Sequence, residues 1–140
     1  MKIRLGVLAA LVLMSCSTQE KSVQKPFSSA DVGREMTAYT VMVAKARLVQ
    51  RKCPELEMSF KALLAATEKY PAMQRISAGN NATAEIENSI DKTAVVDGIT
   101  QFEAANGLRG ADQKAFCRFG HEQIAKKTET GRLLQLKKAL

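Results

Sequence analysis

The 140 residues contain one histidine, His121, and no arrangement that would make it a metal ligand. It sits in His121-Glu122-Gln123-Ile124-Ala125, which lacks the second histidine of the zinc pattern His-Glu-x-x-His. A metal site needs several ligands, and none is spaced near it, so His121 is expected at the surface or at a helix cap. No glycine-rich phosphate loop and no cofactor motif occurs. Ser59, Ser77 and Ser89 lack the context of a nucleophile elbow. Glu85 and Glu87 are two apart and point to different sides of a helix, and Glu85 and Asp91 form no evident pair. Spacing therefore assigns no catalytic, cofactor or metal residue, and an enzyme is not expected. Carboxylates brought together from distant segments escape such a reading.

Strand signals are also scarce. No segment alternates polar and apolar residues for more than a few positions, β-branched residues do not cluster after residue 15, and no internal repeat is visible. Helical periods dominate. A long hydrophobic run is missing too. Leu5 to Met14 is about ten residues and rises only about 15 Å as a helix, roughly half the hydrocarbon core of a bilayer. The aromatics do not alternate with Lys or Arg as a base-stacking platform would, so nucleic acid is not an expected partner.

What is present begins at the N-terminus. Lys2 and Arg4 precede the apolar stretch, and the small Ser15 follows it. This is the layout of a secretory signal peptide. The run Leu13-Met14-Ser15-Cys16 resembles the bacterial lipoprotein signal, or lipobox. The resemblance implies cleavage before Cys16, with Cys16 diacylated as the new N-terminus. About three acyl chains would then hold the protein, and two or more anchor stably. Ser17, in place of Asp, implies transfer to the outer membrane, with the protein on its periplasmic face. An ordinary secretory signal cut near Ser15 is the alternative, and it would leave Cys16 a free thiol. The expected organisation is a signal peptide over 1–15, a lipidated cysteine and flexible tether over 16–30, and a helical domain over 31–140.

With Cys16 lipidated, two thiols remain, Cys53 and Cys117. An exported protein meets an oxidising compartment, where a disulfide between them is the default. It closes a loop of about 65 residues, worth roughly 4 kcal/mol in the chain-entropy model. Their spacing is far from the Cys-x-x-Cys of a redox catalyst.

The domain is expected to be all-α, a single small unit of four or five helices. A first helix spans about 31–51, with Val32, Met36, Tyr39, Val43, Ala46 and Gln50 as its stripe and Ser29 or Asp31 as its cap. Pro54 ends it and starts a second helix running to Tyr70, whose buried face is Leu56, Phe60, Leu63, Leu64 and Thr67. A third runs from about Thr83 to Ala105, with Gly98 at a close crossing and Asn106-Gly107 as its stop. Asp112 caps a helix bearing Ala115, Phe116, Cys117 and Phe119. A last helix reaches from His121 to Leu140, with Gly131 as its weak point.

The formal charge is +7, and +5 without the signal. Residues 111–140 carry most of that excess, which biases encounter towards an acidic partner. An exported helical domain with two distant cysteines, the second in Ala115-Phe116-Cys117-Arg118-Phe119-Gly120, resembles the small periplasmic immunity proteins that neutralise secreted cell-wall amidases. The likeness covers less than half of the chain, and Val95-Val96-Asp97-Gly98-Ile99 departs from the Tyr-Ile/Val-x-Gly stretch of that family. It implies an inhibitor that covers an effector's cleft, and no functional residue carries over. The expectation is a non-enzymatic envelope lipoprotein that binds a protein partner, as an inhibitor or immunity protein. The alternative is an accessory of an envelope, secretion or conjugation assembly. The inhibitor needs a projecting loop, near 71–82 or 106–111, and the accessory a broad apolar patch.

Overall fold

The computed structural model describes residues 28–71 and 88–138. The signal segment, Cys16 and the tether up to residue 27 lie outside the described residues. So do residues 72–87, which include most of the candidate loop at 71–82 and the start of the expected third helix. Among the described residues the elements are α1 (Ser29–Lys52), β1 (Leu56–Met58), α2 (Phe60–Thr67), α3 (Lys92–Ala105), α4 (Gln113–Ala125), α5 (Glu129–Arg132) and β2 (Leu134–Leu136). Among the described residues the domain is a small all-α unit of five helices carrying one disulfide, with a short two-stranded ribbon added.

Helix α1 is the central element. Its cap is Ser28, one residue before the expected pair. The Ser28 hydroxyl accepts from the Asp31 backbone N–H, and the Asp31 carboxylate accepts from the Ser28 backbone N–H, which makes a reciprocal capping box. Met36, Met42, Ala46 and Val49 are buried along one stripe that ends at Cys53. The stripe thus passes through Met42 and Val49, one position before the expected Val43 and Gln50.

The second helix differs from expectation. Pro54 and Glu55 form a turn, and Leu56–Met58 then pair antiparallel with Leu134–Leu136, in the register Leu56 to Leu136 and Met58 to Leu134. Only then does α2 begin, capped by the Ser59 hydroxyl. Leu56 is fully buried, but from a strand. Phe60 and Leu64, expected inside, are exposed, and the residue α2 buries is Ala66. The partner strand lies 78 residues away in sequence (Glu57 against Gln135), so no local period could reveal it.

The third segment is interrupted as well. Asn88 and Ser89 are helical, Ile90 bends, and α3 starts afresh with Asp91 as its cap. Thr37 on α1 accepts the Asp91 backbone N–H at 2.9 Å, which docks the start of α3. Gly98 lies where a Cβ would stand 2.8 Å from Val41 on α1, the close crossing expected of it. At the exit, Gly107 is left-handed (φ 63°), and the N–H groups of Gly107 and Leu108 return to the carbonyls of Ala104 and Glu103. This is a Schellman end, and Leu108 drops into the core as its apolar plug.

Helix α4 is capped by Asp112 as expected. The helix runs through Gly120 without a break. The residue is buried where a Cβ would collide with Leu56 and stand 2.9 Å from Val49. The expected last helix to Leu140 does not form. Lys127 takes a left-handed conformation (φ 51°), and Lys127 and Thr128 donate to the carbonyls of Ile124 and Gln123. A second Schellman turn therefore closes α4, built on lysine where glycine is usual. Thr128 caps α5, and the chain then pairs as β2. The core gathers Met42, Ala46, Val49, Leu56, Leu108, Phe116, Leu133 and Leu134 around the disulfide. Among the described residues no buried side-chain polar atom lacks a partner.

Candidate functional site

Two places on the surface concentrate chemistry. The first is the junction between the end of α1 and α4. The chain leaves α1 through Cys53, which is fully buried, and Cys53 bonds Cys117 on α4 with the two Cα atoms 4.8 Å apart. Leu56 donates to the Cys53 carbonyl and Lys137 to the Glu55 carbonyl, so the turn between α1 and β1 is held from both sides. Glu55 is exposed, and its carboxylate lies 2.9 Å from Nε2 of His121, which follows Cys117 by one turn of α4. His121 is thus a surface residue as expected. It has a carboxylate partner that sequence spacing could not supply, because 66 positions separate the two. Cys53, Glu55 and Cys117 offer ligand-type atoms within 4.8 Å of one another, although the disulfide consumes both sulfurs.

The second place is α2. It rests on the core through Ala66 and leaves Phe60 73% and Leu64 55% exposed, one turn apart on one face. Lys61 on the same helix and Lys69 in the turn after it are exposed. Beneath the helix, a cavity of about 270 Å³ lies between Ala62, Ala65 and Ala66 of α2, Lys69 in the turn after it, and Met42, Glu129, Arg132 and Leu133. Among the described residues this helix is thinly packed. A larger open groove of about 800 Å³ runs where Gly33, Arg34 and Thr37 of α1 face Ser89, Asp91 and Ala94.

Beside α2, Tyr70 packs edge-on against Tyr39 of α1, ring centres 5.5 Å apart. Burial pushes both phenols above their usual range. For Tyr70 the negative charge of Glu129 adds to this, with smaller contributions from Tyr39 and Glu35. On the other side of α1, Phe102 meets Phe119 edge-on at 5.6 Å, and the Lys45 ammonium lies 5.8 Å from the Phe102 ring centre. These contacts fasten α3 to α1 and α4.

The loop at 106–111, one of two places expected to project, is pinned by Leu108. No helix among the described residues is long and apolar enough to cross a membrane.

Residues 29–135 match a family of unknown function, DUF5333. The chain belongs to DUF5333. The matched span opens on the first residue of α1 and closes inside β2, so it covers both the disulfide junction and α2. No curated protein and no solved structure matches the chain.

Proposed function

We propose that this DUF5333 protein is a non-enzymatic, lipid-anchored protein of the bacterial envelope that binds a protein partner through the outer face of α2. Cys16 carries the lipid, and the domain stands on the periplasmic face of the outer membrane. The observation that carries the binding role is the solvent-facing pair Phe60 and Leu64. A helix one stride from a core it could have faced instead turns its aromatic residue outward. Aromatic anchors of this kind dominate interface energetics, and an apolar helix face laid into a groove is a recurrent recognition mode. Exposed Lys61 and Lys69 and the net charge of +5 without the signal favour a partner whose groove has an acidic rim.

Of the two roles for such a protein, the apolar helix face favours an accessory of an envelope assembly. An inhibitor of the immunity type is the second reading, and the loop at 106–111 gives it no plug because Leu108 is buried.

The test places a photo-crosslinking residue at Lys61 in the exported full chain and compares it with the same chain carrying Phe60→Ser and Leu64→Ser. The expected result is one defined protein adduct that disappears in the double variant while the disulfide still forms. Identical adducts in both chains would refute the role of α2. Labelled palmitate incorporated by the chain but not by Cys16→Ser tests the anchor.

A further inference from the structure

The junction fixed by the Cys53–Cys117 bond gathers positive charge. Lys52 adjoins Cys53, Arg118 adjoins Cys117, and the two cysteine Cα atoms are 4.8 Å apart. Each residue step adds about 3.8 Å, so the Cα atoms of Lys52 and Arg118 are at most about 12 Å apart. Arg51 precedes Lys52, and Lys114 stands one turn before Cys117 on α4. Lys137, just after β2, reaches the same place, since its backbone N–H donates to the Glu55 carbonyl at 2.9 Å. All five side chains are exposed. Three stretches distant in sequence thus bring five cations to one region, on a frame held by the disulfide and this hydrogen bond.

The fold itself makes little use of these charges. Among the described residues none of the five forms an ion pair. The neighbouring carboxylates are already engaged. Glu55 contacts His121, Asp112 accepts the Ala115 backbone N–H, and Glu57 accepts from the Gln135 side chain. Arg51 and Lys52 complement the carbonyl end of α1. Lys114 has no such role, because it lies in the first turn of α4, where the helix dipole disfavours a cation.

We infer that this basic face binds an extended acidic segment of a partner protein, by charge rather than by shape. The cations are exposed and line neither of the cavities described above, which suits a run of carboxylates better than one enclosed anion. Arg51 and Arg118 can each hold a carboxylate through two parallel N–H bonds. Phe116 and Phe119, the aromatics next to this cluster in sequence, offer no stacking platform to a nucleic acid, since Phe116 is buried and Phe119 packs on Phe102. A lipid surface fits less well. The segment leading to Cys16 joins α1 at Ser28, and the 24 residues of that helix, about 36 Å, separate this end from Lys52. The choice against lipid rests on the anchor proposed above, whereas the charge argument does not.

The experiment uses the full chain carrying Cys16→Ser, so that no acyl chain contributes, and measures binding of a fluorescent poly-glutamate peptide. Binding is expected at low salt and should weaken by at least about 10-fold in about 0.5 M salt, where all but the closest charges are screened. Adding Lys52→Glu and Arg118→Glu should also weaken it by at least about 10-fold. Adding Lys61→Glu and Lys69→Glu instead makes the same change in net charge elsewhere, and should weaken it by less than about 2-fold. Faster migration on non-reducing gels in every chain reports an intact junction. Equal weakening by the two pairs would overturn the proposal, because net charge alone would then account for binding. So would a parent chain that does not bind the peptide, or binding that salt leaves unchanged. Tighter binding to phosphatidylglycerol vesicles or single-stranded DNA than to the peptide would overturn the assignment to an acidic protein segment. Palmitate labelling reads the anchor separately, so its failure is distinguishable from failure of the basic face.

Discussion

Gly131 on α5 lies against the backbone carbonyl of Gln123 on α4, with no room for a Cβ between them. The left-handed Lys127 folds α5 straight back onto the last turn of α4, and only a glycine admits that approach. Gly131→Ala should therefore cost about 2–3 kcal/mol, because backbone must move. Gly98→Ala is the contrast. It meets only the Val41 side chain, and its gain in helix propensity, about 1 kcal/mol, offsets part of the crowding. Urea unfolding of the two variants should rank them in that order, and equal losses would contradict the backbone argument.

Replacing both Cys53 and Cys117 by alanine should lower stability by roughly 4 kcal/mol, since the bond closes 64 positions of chain. Reducing and non-reducing gels check the bond itself. The oxidised wild type should run faster, whereas the variant should run alike on both. A variant as stable as the wild type would mean that the core alone suffices.

Phe60→Ser with Leu64→Ser should leave stability within about 0.5 kcal/mol, as exposed substitutions usually do. Phe116→Ala, by contrast, should cost about 3–5 kcal/mol, because that ring is fully enclosed. Thermal melts separate the cases, and a large loss from the α2 pair would show that its face is structural.

The tyrosine pair sets an alkaline limit. Both phenols titrate above their unfolded value of 10.0, so the folded state holds its phenolic protons more tightly than the unfolded chain does. That stability is complete below pH 10 and is lost as pH rises through the folded values. The melting temperature should fall there, and less steeply in Tyr70→Phe than in wild type. An unchanged slope would remove the tyrosines as the cause.

Local signals made several elements legible. The α1 stripe, the Asp112 cap, the Asn106-Gly107 stop and the Gly98 crossing each depend on residues within a turn or two, or on glycine's small size. The all-α class followed in the same way, whereas the disulfide followed from the count of thiols and the expected compartment. The failures share a different cause. Leu56–Met58 are extended because Leu134–Leu136 lie beside them, and their pairing shifts the start of α2 and turns Phe60 and Leu64 outward. The last helix was overextended because Lys127 does a glycine's work at its end. At the candidate site the two cysteines were readable, but Glu55 was not, since only the fold carries it to His121.

The Cys53–Cys117 bond also changes what a protease can achieve. A single nick anywhere from Pro54 to Phe116 leaves both fragments covalently joined, because that whole stretch lies inside the closed loop. The clipped molecule keeps its mass until it is reduced, and the piece carrying α1 cannot diffuse from the piece carrying α4. Degradation must therefore cut twice, or cut outside the ring, before any part is shed.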